Sequence, residues 1–286
     1  MIPHKLRRSI YIVAAVAAVI YAAICAYMWA TQRDRVFEPM RAIQSTPERL
    51  GIKYEAIHIP SGSGKERGDL DAWWIPADVA DRPTIFYLHG NDRNISHGHN
   101  VIAAGRLHSL GYNLLMVDYR GFGKSGGGKP SEAKVYEDAE AGWQYLIKTR
   151  GVRPQQAFIY GHSLGGAIGI DLAVRHPEAA GLITESTFTS LRAMGELEYP
   201  YLPVNLLLNQ RFESLQKISS LKIPVLLIHG TWDDKVPVRM SKQLYDAAPQ
   251  PKSLILIEGG EHNNSAGVGW LKYSNAVTAF TKQYAH

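Results

Sequence analysis

The 286-residue sequence predicts an α/β fold, a mostly parallel eight-stranded sheet with helices on both faces. Three observations lead there. Short apolar runs of strand length alternate with longer helix-like stretches. Several of those runs end in a glycine-containing loop that carries an ionisable residue. One of them passes through a Gly-x-Ser-x-Gly turn directly into a helix-like segment.

Taken in order, strands are expected at 54–59, 70–75, 84–88, 113–118, 157–160, 181–184, 224–228 and 253–257. Helices are expected at 101–110, 131–149, 164–176, 238–247 and 269–284, each set off by a strand. No helix separates the first two strands, so they should form an antiparallel hairpin at one edge. The chain is 45% apolar, enough for a full core, and a fold of this class and length is ordinarily one domain. There is no internal repeat and no low-complexity segment.

Ser163 is the most informative residue. In Gly161-His162-Ser163-Leu164-Gly165-Gly166 an apolar strand ends just before the serine and a helix begins just after it. A serine on so sharp a turn needs glycine or very small neighbours, and the turn lifts its hydroxyl clear of the sheet. The same pattern occurs at Gly123-Lys124-Ser125-Gly126-Gly127, but Ser125 lies in the glycine-saturated stretch 121–128, with no strand entering and no helix leaving.

A serine hydroxyl needs a base, a group that orients the base, and donors for the oxyanion. The strand at 224–228 runs into a loop with Asp233 and Asp234, and the last strand runs into Gly259-Gly260-Glu261-His262. In a parallel sheet, functional groups collect at the carboxyl ends of the strands, so these loops should bring Ser163, an aspartate and His262 together.

These residues carry a resemblance. His89-Gly90-Asn91 with Asn94-Ile95-Ser96-His97, then Asp118-Tyr119-Arg120-Gly121-Phe122-Gly123, the Ser163 turn, the segment 224–237 and Gly260-Glu261-His262-Asn263 together resemble the α/β-hydrolase superfamily. Within it, the membrane-anchored α/β-hydrolase-domain serine hydrolases are the most similar group. The resemblance covers roughly residues 50–286 and matches the superfamily's order Ser, Asp, His. It implies an α/β-hydrolase fold with Ser163 as nucleophile, Asp233 rather than Asp234 as the acid of H-G-x-x-D-x-x-V-P, and His262 as base. It also implies oxyanion donors at the backbone N–H groups of Leu164 and of Asn91, with Asp92 as the alternate for the second. His89 reads as a structural loop residue. The segment 187–221 stands where this superfamily inserts a lid, and it reads equally as an apolar wall over an acyl pocket or as ordinary packing over the sheet edge.

No cofactor is expected. Gly121-Phe122-Gly123-Lys124-Ser125-Gly126 formally satisfies two nucleotide patterns, but a Walker loop needs a glycine where Asp118 stands, and Gly126-Gly127-Gly128 with Pro130 denies the helix a Rossmann loop opens. His97 and His99 form an isolated H-x-H pair, and the single cysteine, Cys25, lies in the N-terminal apolar run, so no metal site is expected.

Residues 10–30 are uncharged and mostly apolar, long enough to cross a bilayer as a helix. Tyr27-Met28-Trp29-Ala30 lacks the small-residue pattern of a signal-peptide cleavage site, and Ile24 before Cys25 argues against a lipoprotein signal. Lys5, Arg7 and Arg8 precede the span and Arg33, Asp34 and Arg35 follow it, a modest bias for a cytoplasmic N-terminus. Residues 1–35 hold five basic groups and one acid, +4 of the total +5, which leaves the remainder near neutral and gives no electrostatic case for nucleic acid. Two sequons occur, at Asn94 and Asn263; a glycan beside His262 would obstruct the site, which favours a periplasm-facing bacterial protein over one in a eukaryotic lumen.

The sequence thus predicts a membrane anchor at 1–35 and a catalytic domain at 36–286 with a short lid at 187–221. The expected activity is hydrolysis of carboxylic esters or thioesters, on small-molecule or lipid substrates, through an acyl-enzyme. A peptidase or amidase of the same fold is the alternative within enzymes, and a catalytically inactive, membrane-tethered binding protein is the alternative outside them. Every candidate catalytic residue lies beyond Gly51, so removal of 1–35 is expected to leave turnover of soluble esters unchanged.

Overall fold

The computed structural model describes residues 3–286, so residues 1 and 2 of the expected anchor segment lie outside the described residues. In chain order the elements are α1 (His4–Val36), β1 (Glu38–Pro39), β2 (Glu55–Ser61), β3 (Gly68–Ile75), β4 (Thr84–Leu88), β5 (Asp92–Arg93), α2 (Gly98–Ser109), β6 (Asn113–Val117), α3 (Glu132–Gln144), β7 (Ala157–His162), α4 (Leu164–Arg175), β8 (Gly181–Glu185), α5 (Leu191–Glu198), α6 (Val204–Leu207), α7 (Ser214–Ile218), β9 (Val225–Gly230), α8 (Arg239–Ala247), β10 (Lys252–Ile257), α9 (Ser265–Val268) and α10 (Trp270–Tyr284).

Eight strands form one sheet in the order β10-β9-β8-β7-β4-β6-β3-β2. β2 and β3 are the antiparallel edge hairpin, β3 is also antiparallel to β6, and every other neighbour pair is parallel. The central strands read as continuous apolar runs because both faces are covered. In β4, Phe86 and Leu88 enter one core layer with Val135, Trp143 and Ile168 from α3 and α4. Its Ile85 and Tyr87 enter the other, with Leu107 of α2 and Val277 of α10. That two-residue alternation puts α3, α4 and α8 on one face and α2 and α10 on the other.

Two features departed from what the sequence pattern alone suggested. A second sheet of only two residues per strand pairs β1 with β5 in parallel, Glu38 opposite Asp92 and Pro39 opposite Arg93. The apolar stretch at 10–30 is the middle of a longer helix, α1, which is 33 residues long, or about 50 Å at 1.5 Å per residue. Its apolar span is long enough to cross a membrane and none of it is buried in the protein, but its last turns reach the body of the fold. There the Gln32 side chain, 7% exposed, donates to Leu207 O at 3.1 Å and accepts from Asn209 N at 2.7 Å. Arg33 donates to Pro130 O at 2.9 Å through Nε.

Candidate active site

β7 carries the chain to the carboxyl edge of the sheet and α4 leaves at once, so Ser163 takes the whole reversal. Its φ is +54°, a region that costs a residue with a side chain about 1–3 kcal/mol. The surroundings hold it there: Ser163 N donates to Glu185 O at 2.9 Å, and Thr187 Oγ1 donates to Ser163 O at 2.8 Å. A Cβ at Gly161 would strike the Gly165 carbonyl, and one at Gly165 would strike the Leu88 carbonyl, so only glycine lets the turn close against β4.

The loop after β9 brings Asp233 toward the same edge, and the loop after β10 brings His262. These two loops are tied together by Trp232 N donating to Gly260 O at 2.8 Å and Gly259 N to Thr231 Oγ1 at 3.0 Å. His262 Nδ1 lies 2.9 Å from Asp233 Oδ2 and 3.0 Å from Oδ1, and its Nε2 lies 3.0 Å from Ser163 Oγ. The carboxylate must accept, so Nδ1 carries the proton and Nε2 is free to accept from the hydroxyl. Asp234 is exposed, whereas the Asp233 side chain is fully covered and is the one bonded to the imidazole.

Asp233 is aimed from several directions. Its Oδ1 accepts from Lys235 N at 3.0 Å and Val236 N at 2.8 Å, and its Oδ2 lies 3.1 Å from His229 Nε2. Burial pushes its acidity the other way, but the bonds from His229 and His262 outweigh it and hold the carboxyl well below the usual carboxylate range. His229 is fully buried; its Nε2 also faces Val236 O at 2.8 Å, so that nitrogen carries the proton and Ser241 Oγ donates to Nδ1 at 2.6 Å. His229 therefore fixes the Asp233 carboxylate, a contact the sequence pattern did not disclose although it stands four residues before Asp233.

His162 was likewise not assigned a role from the sequence. It is buried and its Nε2 donates to the main-chain carbonyl of His262 at 3.0 Å. His99 Nδ1 donates to Asn263 O at 2.9 Å, so the loop is held at His262 and at the residue after it. Burial and then the neighbouring His262 draw the His162 imidazole down to about 3, and burial with His162 does the same for His99. His89 is also buried, its ring tilted against Tyr119 with centroids 4.4 Å apart, and burial draws it down to about 4. Among the described residues no three His, Cys, Asp or Glu side chains are grouped to hold a metal ion.

Leu164 opens α4 and Asn91 follows β4, and both line the cavity with Ser163 and His262. Among the described residues neither the Leu164 nor the Asn91 N–H donates to another protein group. Asn91 is anchored through its other atoms: its side chain donates to Val36 O at 3.1 Å, and its carbonyl accepts from Glu38 N at 2.9 Å. Ser125 is different from Ser163. It is fully buried, accepting from Asp71 N at 2.8 Å and donating to Asp118 O at 2.7 Å, which staples β3 to the end of β6. Asn94, in one sequon, is fully buried with its amide donating to Met40 O and Ala42 O.

The cavity above Ser163 has a volume of about 740 Å³. Phe188, Met194, Leu202, Val204, Leu207 and Leu208 line it from the segment 187–221, so that segment is a wall of the cavity as well as packing. Met28, Gln32, Arg35 and Val36 of α1 complete the wall, so the boundary expected at residue 36 falls inside a continuous surface.

Comparison with known proteins agrees with this architecture. The serine aminopeptidase S33 family profile matches residues 80–216. An uncharacterised protein of Mycobacterium tuberculosis is 32% identical over 253 residues, 88% of each chain. The lysophosphatidylserine lipase ABHD12 of Danio rerio is 36% identical over 71% of this chain and 58% of its own, and the α/β-hydrolase domain-containing protein WAV2 of Arabidopsis thaliana is 29% identical over 91% and 90%. Among solved structures, a Pyrococcus furiosus esterase superposes with a TM-score of 0.70 at 23% identity, covering 88% of this chain and 99% of its own. The ferulic acid-bound esterase Est1E of Butyrivibrio proteoclasticus superposes with a TM-score of 0.66 at 21% identity, covering 80% and 99%. Fold, motif order and these relatives agree: the chain belongs to the α/β-hydrolase superfamily.

Proposed function

We propose that the protein is a serine hydrolase that cleaves carboxylic esters or thioesters, with Ser163 as nucleophile, His262 as general base and acid, and Asp233 as the group that aims and charge-balances the imidazole. The observation that carries this reading is the continuous chain of contacts from Asp233 Oδ2 through His262 to Ser163 Oγ, 2.9 and 3.0 Å long. As Oγ bonds to the acyl carbon, its proton passes to His262 Nε2. The oxyanion meets the N–H groups of Leu164 and Asn91, where loss of one donor typically costs about 3 kcal/mol of barrier. Collapse breaks the bond to the leaving alcohol or thiol, which takes the proton from Nε2. A water molecule then repeats the sequence and releases the acid.

The apolar cavity supports an acyl group as the bound portion, and the esterase and lipase names among relatives and structural neighbours support an ester bond. The apolar, unburied α1 supports a single membrane span with its N-terminus in the cytoplasm and the catalytic domain outside it.

The test is fluorophosphonate labelling followed by a chain-length series of p-nitrophenyl esters, with p-nitroanilides beside them for the amidase reading. Ser163→Ala should lose both label and turnover. Ser125→Ala should keep the label at low temperature while its melting temperature falls, because two buried hydrogen bonds are lost, worth about 1–3 kcal/mol through the orphaned Asp71 N–H. Turnover by Ser163→Ala with none by Ser125→Ala would refute the assignment.

A further inference from the structure

The segment between α5 and α7 has an unusual surface. From Tyr199 to Gln210 it contains no charged residue. Tyr201 is 89% exposed and Leu206 is 81% exposed, on a segment that also supplies Leu202 and Leu207 to the cavity wall. The side chains of Tyr201 and Leu206 present apolar area outward on a stretch with no charge between them.

Most of the backbone N–H groups from Tyr199 to Leu208, those of Tyr201 and Asn205 excepted, are paired within the described residues. Pro200 and Pro203 have no N–H, Leu202 N donates to Tyr199 O, Val204 N to Leu202 O, and Leu206 and Leu207 N both to Pro203 O. In hydrocarbon, backbone polar groups must be met from within the protein in this way.

The position of the segment says which medium surrounds it. The Tyr21 hydroxyl of α1 donates to the Tyr201 carbonyl at 2.8 Å. Tyr21 lies nine residues before Ala30, the end of the apolar stretch, and hence about 13 Å along the helix inside it. That is close to half the thickness of a bilayer's hydrocarbon core, about 30 Å. If α1 crosses the membrane, a segment bonded to it at Tyr21 cannot stay in water.

We propose that residues 199–208 are immersed in the same leaflet as the end of α1, so that the cavity over Ser163 opens into hydrocarbon and receives the acyl chain of a lipid resident in that leaflet. The immersion rests only on the reading of α1 as a span. The assignment of a bilayer-resident acyl lipid as substrate rests in addition on the proposed ester hydrolysis at Ser163. Met28 of α1 and Tyr199, Leu202 and Leu207 of the immersed segment all line the cavity, so an acyl chain could pass from leaflet to serine without crossing water.

The experiment uses the full chain in phosphatidylcholine vesicles. In a Cys25→Ser background, Leu206→Cys is labelled with bimane, and quenching by nitroxides on lipid acyl chains is compared with quenching by aqueous iodide. Val79→Cys, 68% exposed on the loop before β4 at the opposite end of the strands, is the aqueous control. The expected result is quenching at Leu206 by acyl-chain nitroxide at least threefold stronger than by iodide, with the reverse order at position 79. Iodide quenching at Leu206 equal to that at position 79 would overturn the immersion. Separately, Leu206→Asp should lower kcat/KM on a vesicle-borne long-chain ester about tenfold and leave soluble p-nitrophenyl acetate turnover within twofold. Equal losses on both substrates would overturn the route through the leaflet. A wild-type protein inert toward every ester would sink the substrate assignment while the quenching result still decided the immersion.

Discussion

The side-chain amide of Asn91 donates to the main-chain carbonyl of Val36 at 3.1 Å, joining the loop after β4 to the last residue of α1. The contact continues into the β1–β5 pair, where Glu38 N donates to Asn91 O at 2.9 Å. A backbone N–H proposed to stabilise an oxyanion must be held still, because its value lies in not having to reorganise during reaction.

Asn91→Ala should therefore lower kcat by about tenfold with KM little changed. The loss stays short of the roughly 10²–10³ of a deleted donor because the backbone N–H remains and only its support is removed. Steady-state kinetics on p-nitrophenyl butyrate decides it; a raised KM with unaltered kcat would make the tie a matter of substrate binding.

Much of this arrangement was legible in the sequence because it rests on local rules. Strands buried on both faces read as apolar runs, and the Ser163 turn admits only small neighbours, so β4, β7, β9 and α4 could be located from pattern. The β1–β5 pair could not, since two residues carry no periodicity. His229 and His162 were hidden for another reason: a buried histidine has no pattern of its own, and the partner of His162, the His262 carbonyl, is brought near only by folding. The contacts of α1 were hidden because a helix apolar all round shows no preferred face.

The acid assignment makes the next prediction. Asp233→Asn should lower kcat by about 10⁴, since an amide in that place stabilises the wrong imidazole tautomer, and Asp234→Asn should stay near wild type. Stopped-flow acylation with an activated ester separates the two. A larger loss at Asp234 would exchange their roles.

The buried histidines set the acid side of the stability curve. His162 and His89 have folded values of about 3 and about 4, drawn down by burial, against about 6.5 when unfolded. A group whose folded pKa is depressed contributes stability in full above the unfolded value and loses it as pH falls toward the folded one. Between pH 6.5 and 4 the unfolded chain takes up these protons and the native protein does not, so each histidine should cost about 1.4 kcal/mol per pH unit at the steepest. Urea midpoints should fall steeply from pH 7 to pH 5, and His162→Gln should flatten that slope. The same slope in the variant would show that His162 is already charged in the native protein.

Nested truncation tests how far α1 belongs to the catalytic unit. The full chain should resist carbonate extraction, because about 20 apolar residues make insertion effectively irreversible, and a periplasm-active phosphatase fused after His286 should be active. Removing residues 1–26 keeps Met28, Gln32 and Val36 in the cavity wall. Removing 1–35 also takes Gln32 from the Leu207 carbonyl and the Asn209 N–H, two part-buried groups whose loss of a partner costs about 1–3 kcal/mol each. The shorter truncation should therefore keep its turnover of p-nitrophenyl acetate, whereas the longer one should melt several degrees lower and show a raised KM. Sequence position alone predicts no difference, since every candidate catalytic residue is present in both. Equal activity and equal melting temperatures would show that the last two turns of α1 are a tether and nothing more.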